Sequence, residues 1–336
     1  MINVLINMPA QPERMEKLKS IQGINVTWVP FREDPDSLPK DMMRDQHILF
    51  CSTPPDNFHD LESLQWVQIS SVGYNQLLGI GMLEQGVRAS NAQGVFDVPI
   101  SEWNVSMMIQ LARNMKGMYR NQENKVWDRS ARFQTEIRGT RVGIWGYGGI
   151  GRETTRLLKA LGVHVQVFVR EGIKERNHIY RVPGTGDPLG VLPDSVFTTG
   201  QEKEFLRNLD YLIIAVPLTK HTEGMIGKEE LQALPATAFV LNPARGPIIN
   251  EQALLQALSG QWIAGAALDT HYYYPMPEDH PLWEFPNVIM TPHISGSSES
   301  THFLERIWGI FGENIQRFMN DEPLLNELSE RQLQGD

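Results

Sequence analysis

The segment Arg141-Val-Gly-Ile-Trp-Gly-Tyr-Gly-Gly-Ile-Gly151 carries the strongest indication of the fold of this chain. An apolar run over 142–145 leads into Gly146, Gly148 and Gly151, spaced as G-x-G-x-x-G, and leucines at helical spacing follow. A strand, a glycine turn and a helix in this order are typical of a dinucleotide-binding site. The first glycine permits the turn, the second lets a pyrophosphate approach the backbone, and the third lets the helix pack close to the sheet. The helix N-terminus then offers free N–H groups and the positive end of its dipole to phosphates.

Apolar runs alternate with helical segments on both sides of this stretch, which predicts an α/β protein with parallel sheets. Before the glycine turn we predict strands over 2–6, 26–29, 47–51 and 64–69, and a helix over 13–20. After it we predict strands over 163–169, 211–216, 238–241, 263–268 and 288–290, and a helix over 251–258. Long helices are expected over 100–119, after Pro99, and over about 298–319. The remaining long segments are a predicted loop over 172–201 and an acidic tail over 320–336, which we expect to be solvated.

Length and composition limit the class of protein. A chain of 336 residues predicts two domains. The net charge of −10 argues against nucleic acid as a partner. The single cysteine, Cys51, cannot form an internal disulfide, which favours a reducing compartment. The N-terminus is too short and polar for a signal peptide, and no apolar run reaches the roughly 18 residues of a membrane span. We therefore expect a cytoplasmic protein with no membrane partner, and no metal site.

Three chemically useful side chains follow the carboxyl ends of predicted strands. Arg245, Asp269 and His293 stand in such positions, and ligands of open α/β sheets bind at this edge. Arginine can hold a carboxylate with two parallel donors, and histidine can exchange a proton near neutral pH. Alone, each has an ordinary structural interpretation, as a helix cap, a turn residue or a loop residue. Together with a nicotinamide they favour the reduction of a 2-keto acid.

The chain resembles the D-isomer-specific 2-hydroxyacid dehydrogenases, in particular those of the glyoxylate and hydroxypyruvate reductase type. The resemblance runs through segments 71–73, 146–151, 216–219, 242–246, 267–269, 280–283 and 287–293. It implies a Rossmann-type dinucleotide-binding domain, residues 97–295, inserted into a flavodoxin-like substrate domain, residues 1–96 and 296–336. It also implies a homodimer built through the cofactor domain.

The resemblance assigns a role to each matched residue. Arg245 would bind the substrate carboxylate and polarise the keto oxygen, and His293 would be the acid or base. Backbone N–H groups of Val72 and Gly73 would help to hold the carboxylate, and Asp269 would lie beside the nicotinamide. The expected cofactor-binding residues are Gly146, Tyr147, Gly148, Gly149, Ile150, Gly151, Arg170, Pro217, Thr222, Ala244 and Asp269.

The chain departs from the family pattern at two side chains, and the loop over 172–201 is longer than usual. Tyr274 stands five residues after the aspartate, where the family has its catalytic carboxylate. Two alternatives to Tyr274 in this role follow from the sequence. A carboxylate of the acidic pair 278–279 would move in beside His293, or a shift of the loop would place His271 differently. Arg170 stands where members that prefer NAD have an acid, so we expect NADP(H) to be preferred and NAD(H) to remain usable.

The sequence around Arg170 bears further on that cofactor preference. Lys174 and Arg176 are close enough in sequence to help bind a 2′-phosphate, whereas Glu171 argues the other way.

Two functions follow from this pattern. The first is a nicotinamide-dependent reductase of small 2-keto acids such as glyoxylate or hydroxypyruvate, favoured by Arg245 and His293. The second is a nucleotide-sensing interaction protein that kept the fold and lost turnover, favoured by Tyr274. Fold alone does not choose between them. Oxidation of the reduced cofactor in the presence of 2-keto acids separates the two.

Overall fold

The computed structural model describes residues 1–32, 37–130, 134–176 and 179–335. Residues 177, 178 and 336, which belong to the predicted loop and tail, lie outside the described residues. The chain divides into two compact units. The first unit contains Met1–Val95, His178–Tyr180 and Ser298–Asp336, and the second contains Phe96–Asn177 and Arg181–Ser297. The substrate and cofactor roles of these units remain a prediction.

The first unit is built on five parallel strands in the order β2-β1-β3-β4-β5, which is the flavodoxin-like order. The strands are β1 (Ile2–Asn7), β2 (Ile24–Trp28), β3 (Ile48–Cys51), β4 (Trp66–Ile69) and β5 (Arg88–Ser90). Strands β3 and β4 are buried along their whole length, as continuous apolar runs in a parallel sheet require. The helices of this unit are α1 (Pro12–Lys19), α2 (Lys40–Met43), α9 (Thr301–Met319) and α10 (Glu330–Leu333).

Aromatic side chains hold α9 on the first sheet. The rings of Phe50 and Phe311 stack with centroids 4.2 Å apart, and Trp308 meets Phe50 edge to face at 5.3 Å. The prediction of a solvated acidic tail is wrong. Leu328 and Leu333 are buried in the core of this unit, because apolar residues spaced among the charges give the tail a face to bury.

The second unit is built on seven parallel strands in the order β12-β11-β10-β9-β6-β7-β8. They are β6 (Arg141–Trp145), β7 (His164–Val169), β8 (Ser195–Thr198), β9 (Tyr211–Ile214), β10 (Phe239–Asn242), β11 (Gly265–Leu268) and β12 (Val288–Met290). Numbered within the unit, the first six strands have the order 3-2-1-4-5-6 of the Rossmann fold. The helices are α3 (Asp97–Ala112), α4 (Met115–Glu123), α5 (Gly149–Ala160), α6 (Glu202–Leu206), α7 (Lys228–Ala233) and α8 (Glu251–Ser259). The predicted fold class, a Rossmann-type and a flavodoxin-like sheet in one chain, is confirmed.

Two predicted elements of the second unit are wrong. The long helix over 100–119 is two helices, α3 and α4, because Asn114 adopts the left-handed conformation, with φ of 47°, and ends the first. The predicted loop over 172–201 contains β8, which pairs with β7. Strand β8 is short and half exposed at the sheet edge, so it carries little apolar pattern. Among the described residues, no helix is both long and apolar enough to span a membrane.

Candidate active site

The glycine turn joins β6 to α5 with very close contacts. Gly146 has φ of 104°, and a Cβ there would lie 2.5 Å from the carbonyl oxygen of Ala215. A Cβ on Gly151 would lie 2.5 Å from the carbonyl oxygen of Gly146, so only glycine allows α5 to approach β6 this closely. Gly148 is the N-cap residue of α5, and the nearest atom to a Cβ there is Nη1 of Arg176, at 3.5 Å. The backbone at Gly148 is therefore approachable, which fits a dinucleotide pyrophosphate.

The candidate catalytic side chains lie at one edge of the second sheet. Parallel register pairs Asn242 with Leu268 and Leu268 with Met290, which are the last residues of β10, β11 and β12. The segments that carry Arg245, Asp269 and His293 leave the sheet directly after these residues. The structure thus brings three predicted site residues to the same carboxyl edge within one unit.

Asp269 organises the turn that carries His293. Its fully buried carboxylate accepts hydrogen bonds from the Thr291 hydroxyl at 2.5 Å, the Ile294 amide at 2.9 Å, and the Ser295 amide and hydroxyl at 3.0 and 2.5 Å. The backbone amide of His293 donates to the Asp269 carbonyl at 2.7 Å. These bonds hold His293 in the left-handed conformation, with φ of 59°, which a non-glycine residue rarely adopts.

Tyr274 contacts the imidazole of His293. The tyrosine hydroxyl lies 3.1 Å from Nδ1 of His293 and accepts a hydrogen bond from the backbone amide of His271 at 3.3 Å. The His271 ring is itself buried, and its Nε2 donates to the Thr291 carbonyl at 2.8 Å. A neutral phenol therefore occupies the position beside the histidine, and it orients the ring without adding negative charge.

The surroundings of His293 favour its neutral form. Desolvation is the largest influence and lowers the pKa of His293 from its ordinary value, and the Arg245 guanidinium lowers it further. The Asp269 carboxylate acts in the opposite direction, and His271 adds to the lowering. Arg245 is exposed, and its Nη1 donates to the neighbouring Ala244 carbonyl at 2.7 Å. A guanidinium and a titratable imidazole thus face solvent together at this edge.

Comparison with known proteins gives this arrangement a family. The family model for the NAD binding domain of D-isomer specific 2-hydroxyacid dehydrogenase matches residues 105–295. The chain belongs to this family. It is 29% identical to a glyoxylate reductase of Thermofilum pendens over 279 residues, which cover 81% of this chain and 77% of that protein.

A second relative and a solved structure extend the comparison. The chain is 26% identical to a D-3-phosphoglycerate dehydrogenase of Methanocaldococcus jannaschii over 327 residues, 96% of this chain and 58% of that protein. A crystal structure of a D-isomer specific 2-hydroxyacid dehydrogenase family protein from Aeromonas salmonicida superposes with a TM-score of 0.81. That structure is 24% identical in sequence, and the match covers 98% of this chain and 99% of the other.

The other expected dehydrogenase residues of the second unit lie around the same edge. Thr222 donates from its hydroxyl to the Pro217 carbonyl at 2.6 Å and so closes the turn after β9. Arg170 follows β7 with its side chain 88% exposed, and its Nε lies 3.9 Å from a Glu171 carboxylate oxygen. The Ile150 carbonyl accepts a hydrogen bond from the Ser101 hydroxyl at 3.1 Å, which links the first turn of α5 to α3.

The expected substrate-binding residues outside the second unit are Val72 and Gly73. They belong to the first unit and follow β4. The Val72 carbonyl accepts from the Asn91 side chain at 2.7 Å, and the Gly73 carbonyl accepts from the Ser71 hydroxyl at 2.6 Å. These contacts fix the path of the chain after β4, and the binding of a carboxylate by the amides of Val72 and Gly73 remains a prediction.

Sequence reasoning missed the residues that hold the long loop after β7. Arg152, on α5, is buried, and its guanidinium donates to the carbonyls of Asp187, Tyr147 and Lys174. The Tyr147 side chain turns to the loop as well, since its hydroxyl donates to the Asp187 carboxylate at 2.6 Å. The available signal was an arginine directly after Gly151, inside a helix predicted to pack on a sheet.

Proposed function

We propose that this chain reduces small 2-keto acids of the glyoxylate and hydroxypyruvate class to D-2-hydroxy acids, with NADPH preferred to NADH. The observation that carries the proposal is the joint position of Arg245 and of His293, braced by Tyr274, at the edge of a sheet that also bears the glycine turn. A nicotinamide cofactor, when bound, supplies the hydride.

Arg245 binds and polarises the substrate in this proposal. Its planar guanidinium offers parallel donors to a carboxylate, and its charge stabilises the negative charge that develops on the keto oxygen. The side chain is exposed at the sheet edge, and within the described residues only Nη1 is engaged, by the Ala244 carbonyl. The remaining donors are therefore suited to an anionic substrate.

His293 is the proton donor in this proposal. Tyr274 engages Nδ1, so Nε2 is the ring nitrogen available to the substrate oxygen. During reduction the carbonyl carbon receives the hydride and the oxygen receives a proton from Nε2, which leaves a neutral imidazole. In the reverse direction the neutral ring accepts that proton from the hydroxyl.

The second candidate is a nucleotide-sensing protein with little or no turnover. It is favoured by the phenol of Tyr274 beside His293 and by the lowered pKa of that histidine, because both reduce the protonated fraction that reduction needs. An enzyme with these features is slow at alkaline pH but is still an enzyme below neutrality.

Absorbance at about 340 nm separates the two candidates, because the reduced nicotinamide absorbs there and the oxidised one does not. The wild-type chain is mixed with NADPH or NADH and a panel of 2-keto acids, including glyoxylate, hydroxypyruvate and 3-phosphohydroxypyruvate. Loss of absorbance with the unphosphorylated acids supports the reductase. Cofactor binding without any loss of absorbance at acid or neutral pH supports the sensor.

We also propose that the chain is a homodimer built through the second unit, as the family resemblance implies. Light scattering during gel filtration tests this point. A mass twice that of the 38.2 kDa chain supports the dimer, and a mass equal to it contradicts the dimer.

A further inference from the structure

The long loop after β7 is fastened to the start of α5 by buried polar contacts. The Asp187 carboxylate accepts hydrogen bonds from the amides of Gly190, Val191 and Leu192 at 2.9–3.1 Å, in addition to the Tyr147 hydroxyl. The Arg152 guanidinium donates to loop carbonyls, and its carbon atom Cζ lies 4.9 Å from the centre of the Tyr147 ring. Such satisfied buried networks give a loop a defined position.

This anchoring places Arg176 at the glycine turn. Its backbone amide donates to the Pro188 carbonyl at 3.0 Å, which fixes where the side chain leaves the loop. Its Nη1 lies 3.5 Å from the position that a Cβ would occupy on Gly148, the N-cap residue of α5. Arg176 therefore lies at the glycine whose missing side chain lets a pyrophosphate approach.

The Arg176 guanidinium has donors to spare. Its Nη2 is buried and has no hydrogen-bond partner within the part of the chain that the structure describes. A buried charged donor without a partner is costly, and such atoms in native proteins commonly await an ion or ligand. Desolvation lowers the pKa of Arg176, while the Asp97 carboxylate raises it.

The charges around the turn favour an anion. The Arg152 and Arg176 guanidinium groups are close enough to repel each other, and α5 adds the positive end of its dipole. The Asp97 carboxylate lies over Gly149, where it would collide with any Cβ, and it is the acidic group that acts on Arg176. The Asp187 carboxylate offsets the Arg152 charge and the Asp97 carboxylate offsets that of Arg176, so an anion at Gly148 is favoured by the N-terminal end of α5 and by the Nη2 of Arg176, unpartnered among the described residues.

From this geometry we propose that Arg176 binds the pyrophosphate of the dinucleotide, the part that NADH and NADPH share. The inference rests on the proposed function and deepens it. It separates the cofactor contacts of the loop into two kinds, with Arg170 at the end of β7 proposed for the 2′-phosphate and Arg176 for the pyrophosphate. The chemistry recognised is a diphosphate diester, so ADP-ribose is a sufficient probe.

The test is a set of binding titrations with purified full-length variants. Dissociation constants for NADH, NADPH and ADP-ribose are measured by calorimetry for the wild type, Arg176→Gln, Arg176→Lys and Lys174→Gln. Lys174→Gln is the matched control, because Lys174 lies on the same loop, its side chain is 82% exposed, and its ion pair with Glu171 is 3.4 Å long. Thermal denaturation without ligand checks that each variant is folded.

Arg176→Gln should weaken all three ligands by the same factor, roughly 10- to 100-fold, as expected for losing hydrogen bonds to a charged group. Arg176→Lys should recover part of this loss, since it restores the charge without the planar fork. Lys174→Gln should change NADH and ADP-ribose binding by less than about twofold. The salt dependence of NADH binding should be weaker in Arg176→Gln, because one ionic contact is gone.

Three results would overturn the inference. A loss of affinity in Arg176→Gln that is confined to NADPH would show that Arg176 contacts the 2′-phosphate instead. Unchanged dissociation constants would show that Arg176 does not contact the cofactor. Tighter binding would show that the Arg176 side chain obstructs the site. If Arg176→Gln does not fold, equal wild-type and Arg176→Lys affinities with an unchanged salt dependence contradict the fork contact. Wild-type protein that binds neither dinucleotide contradicts the proposed function itself.

Discussion

At the scale of single residues, the proposed role of Arg245 depends on the guanidinium N–H groups that the described residues leave free for a substrate. One nitrogen is engaged by the preceding carbonyl, and the side chain is exposed. The same guanidinium lowers the pKa of His293, so an anion bound to Arg245 would also affect that pKa. A carboxylate bound to Arg245 would offset that positive charge and favour protonation of His293 in the substrate complex.

We expect Arg245→Ala to abolish turnover and Arg245→Lys to leave a small remnant. Loss of a charge-assisted pair with the substrate lowers the rate on the order of 100-fold or more, and lysine supplies a charge but no parallel fork. The measurement is kcat/KM on each accepted 2-keto acid. Near wild-type values for Arg245→Ala would exclude the proposed role.

We expect Arg170→Ala to weaken NADPH binding by about tenfold with little change for NADH. An arginine at the end of the second Rossmann strand offers donors to the 2′-phosphate, which NADH lacks. The Arg170 side chain is exposed, and the ion pair it forms among the described residues is a long 3.9 Å contact to Glu171, so the guanidinium is available. Equal or tighter NADH binding by the wild type, unchanged in Arg170→Ala, would contradict the preference.

At the scale of elements, the loop after β7 places a side chain from a distant part of the sequence, Arg176, at the glycine turn. Tyr147 donates to the Asp187 carboxylate and Arg152 donates to the Asp187 carbonyl. The loop held in this way carries Arg176, whose guanidinium lies at Gly148. Desolvation raises the pKa of Asp187, but hydrogen bonds from Tyr147 and the loop amides outweigh it, so the pKa lies below its ordinary value.

We expect Asp187→Asn to lower the free energy of unfolding by about 1–3 kcal/mol at neutral pH, since an amide nitrogen cannot accept the hydrogen bonds that one carboxylate oxygen accepts. A carboxyl whose folded pKa is depressed stabilises the fold fully above its unfolded pKa, and this stabilisation is lost as pH falls through the folded value. The difference between wild type and variant should therefore shrink in strong acid. Thermal denaturation across pH measures it.

The control for that experiment is Asp279→Asn, the same change at an exposed carboxyl of the second unit. It should leave the melting temperature unchanged. An Asp187→Asn difference that is absent at neutral pH, or that widens on acidification, would show that the loop does not depend on this carboxylate.

At the scale of the whole molecule, much of the architecture could be predicted from the sequence. The alternation of apolar runs, the glycine spacing and the family resemblance were enough for two parallel sheets and for the edge where Arg245, Asp269 and His293 meet. The break at Asn114 was not predictable, because nothing in a helical apolar pattern marks a left-handed asparagine. The buried tail was missed because its charges outnumber leucines such as Leu328 that pack on the first sheet.

Only the site residues that directly follow predicted strands could be placed from the sequence. Tyr274 could be recognised as a departure, but its 3.1 Å contact to His293 depends on the path of the intervening loop. The arrival of Arg176 at Gly148 depends on buried contacts of Asp187, a residue far along the chain whose pairing with Tyr147 leaves no periodic signal.

The pH dependence of kcat/KM is the sharpest test of the proposed reduction of 2-keto acids by a histidine whose Nδ1 meets a phenol in the position of the family carboxylate. Reduction needs protonated His293, whose pKa is lowered from its ordinary value of 6.5, so we predict that kcat/KM is highest in acid, begins to fall below pH 6.5 and continues to decline above neutrality. Oxidation of the hydroxy acid, which needs the neutral ring, should be less impaired.

The decisive comparison is between the wild type, Tyr274→Glu and Tyr274→Phe. A carboxylate at close range raises the pKa of a neighbour by roughly 1–3 units, so Tyr274→Glu should move the falling limb of the reduction profile to higher pH. Tyr274→Phe, which adds no charge, should not. Full wild-type reductase activity up to about pH 8, with a limb that Tyr274→Glu leaves unmoved, would mean that another group charges His293 and would contradict this account.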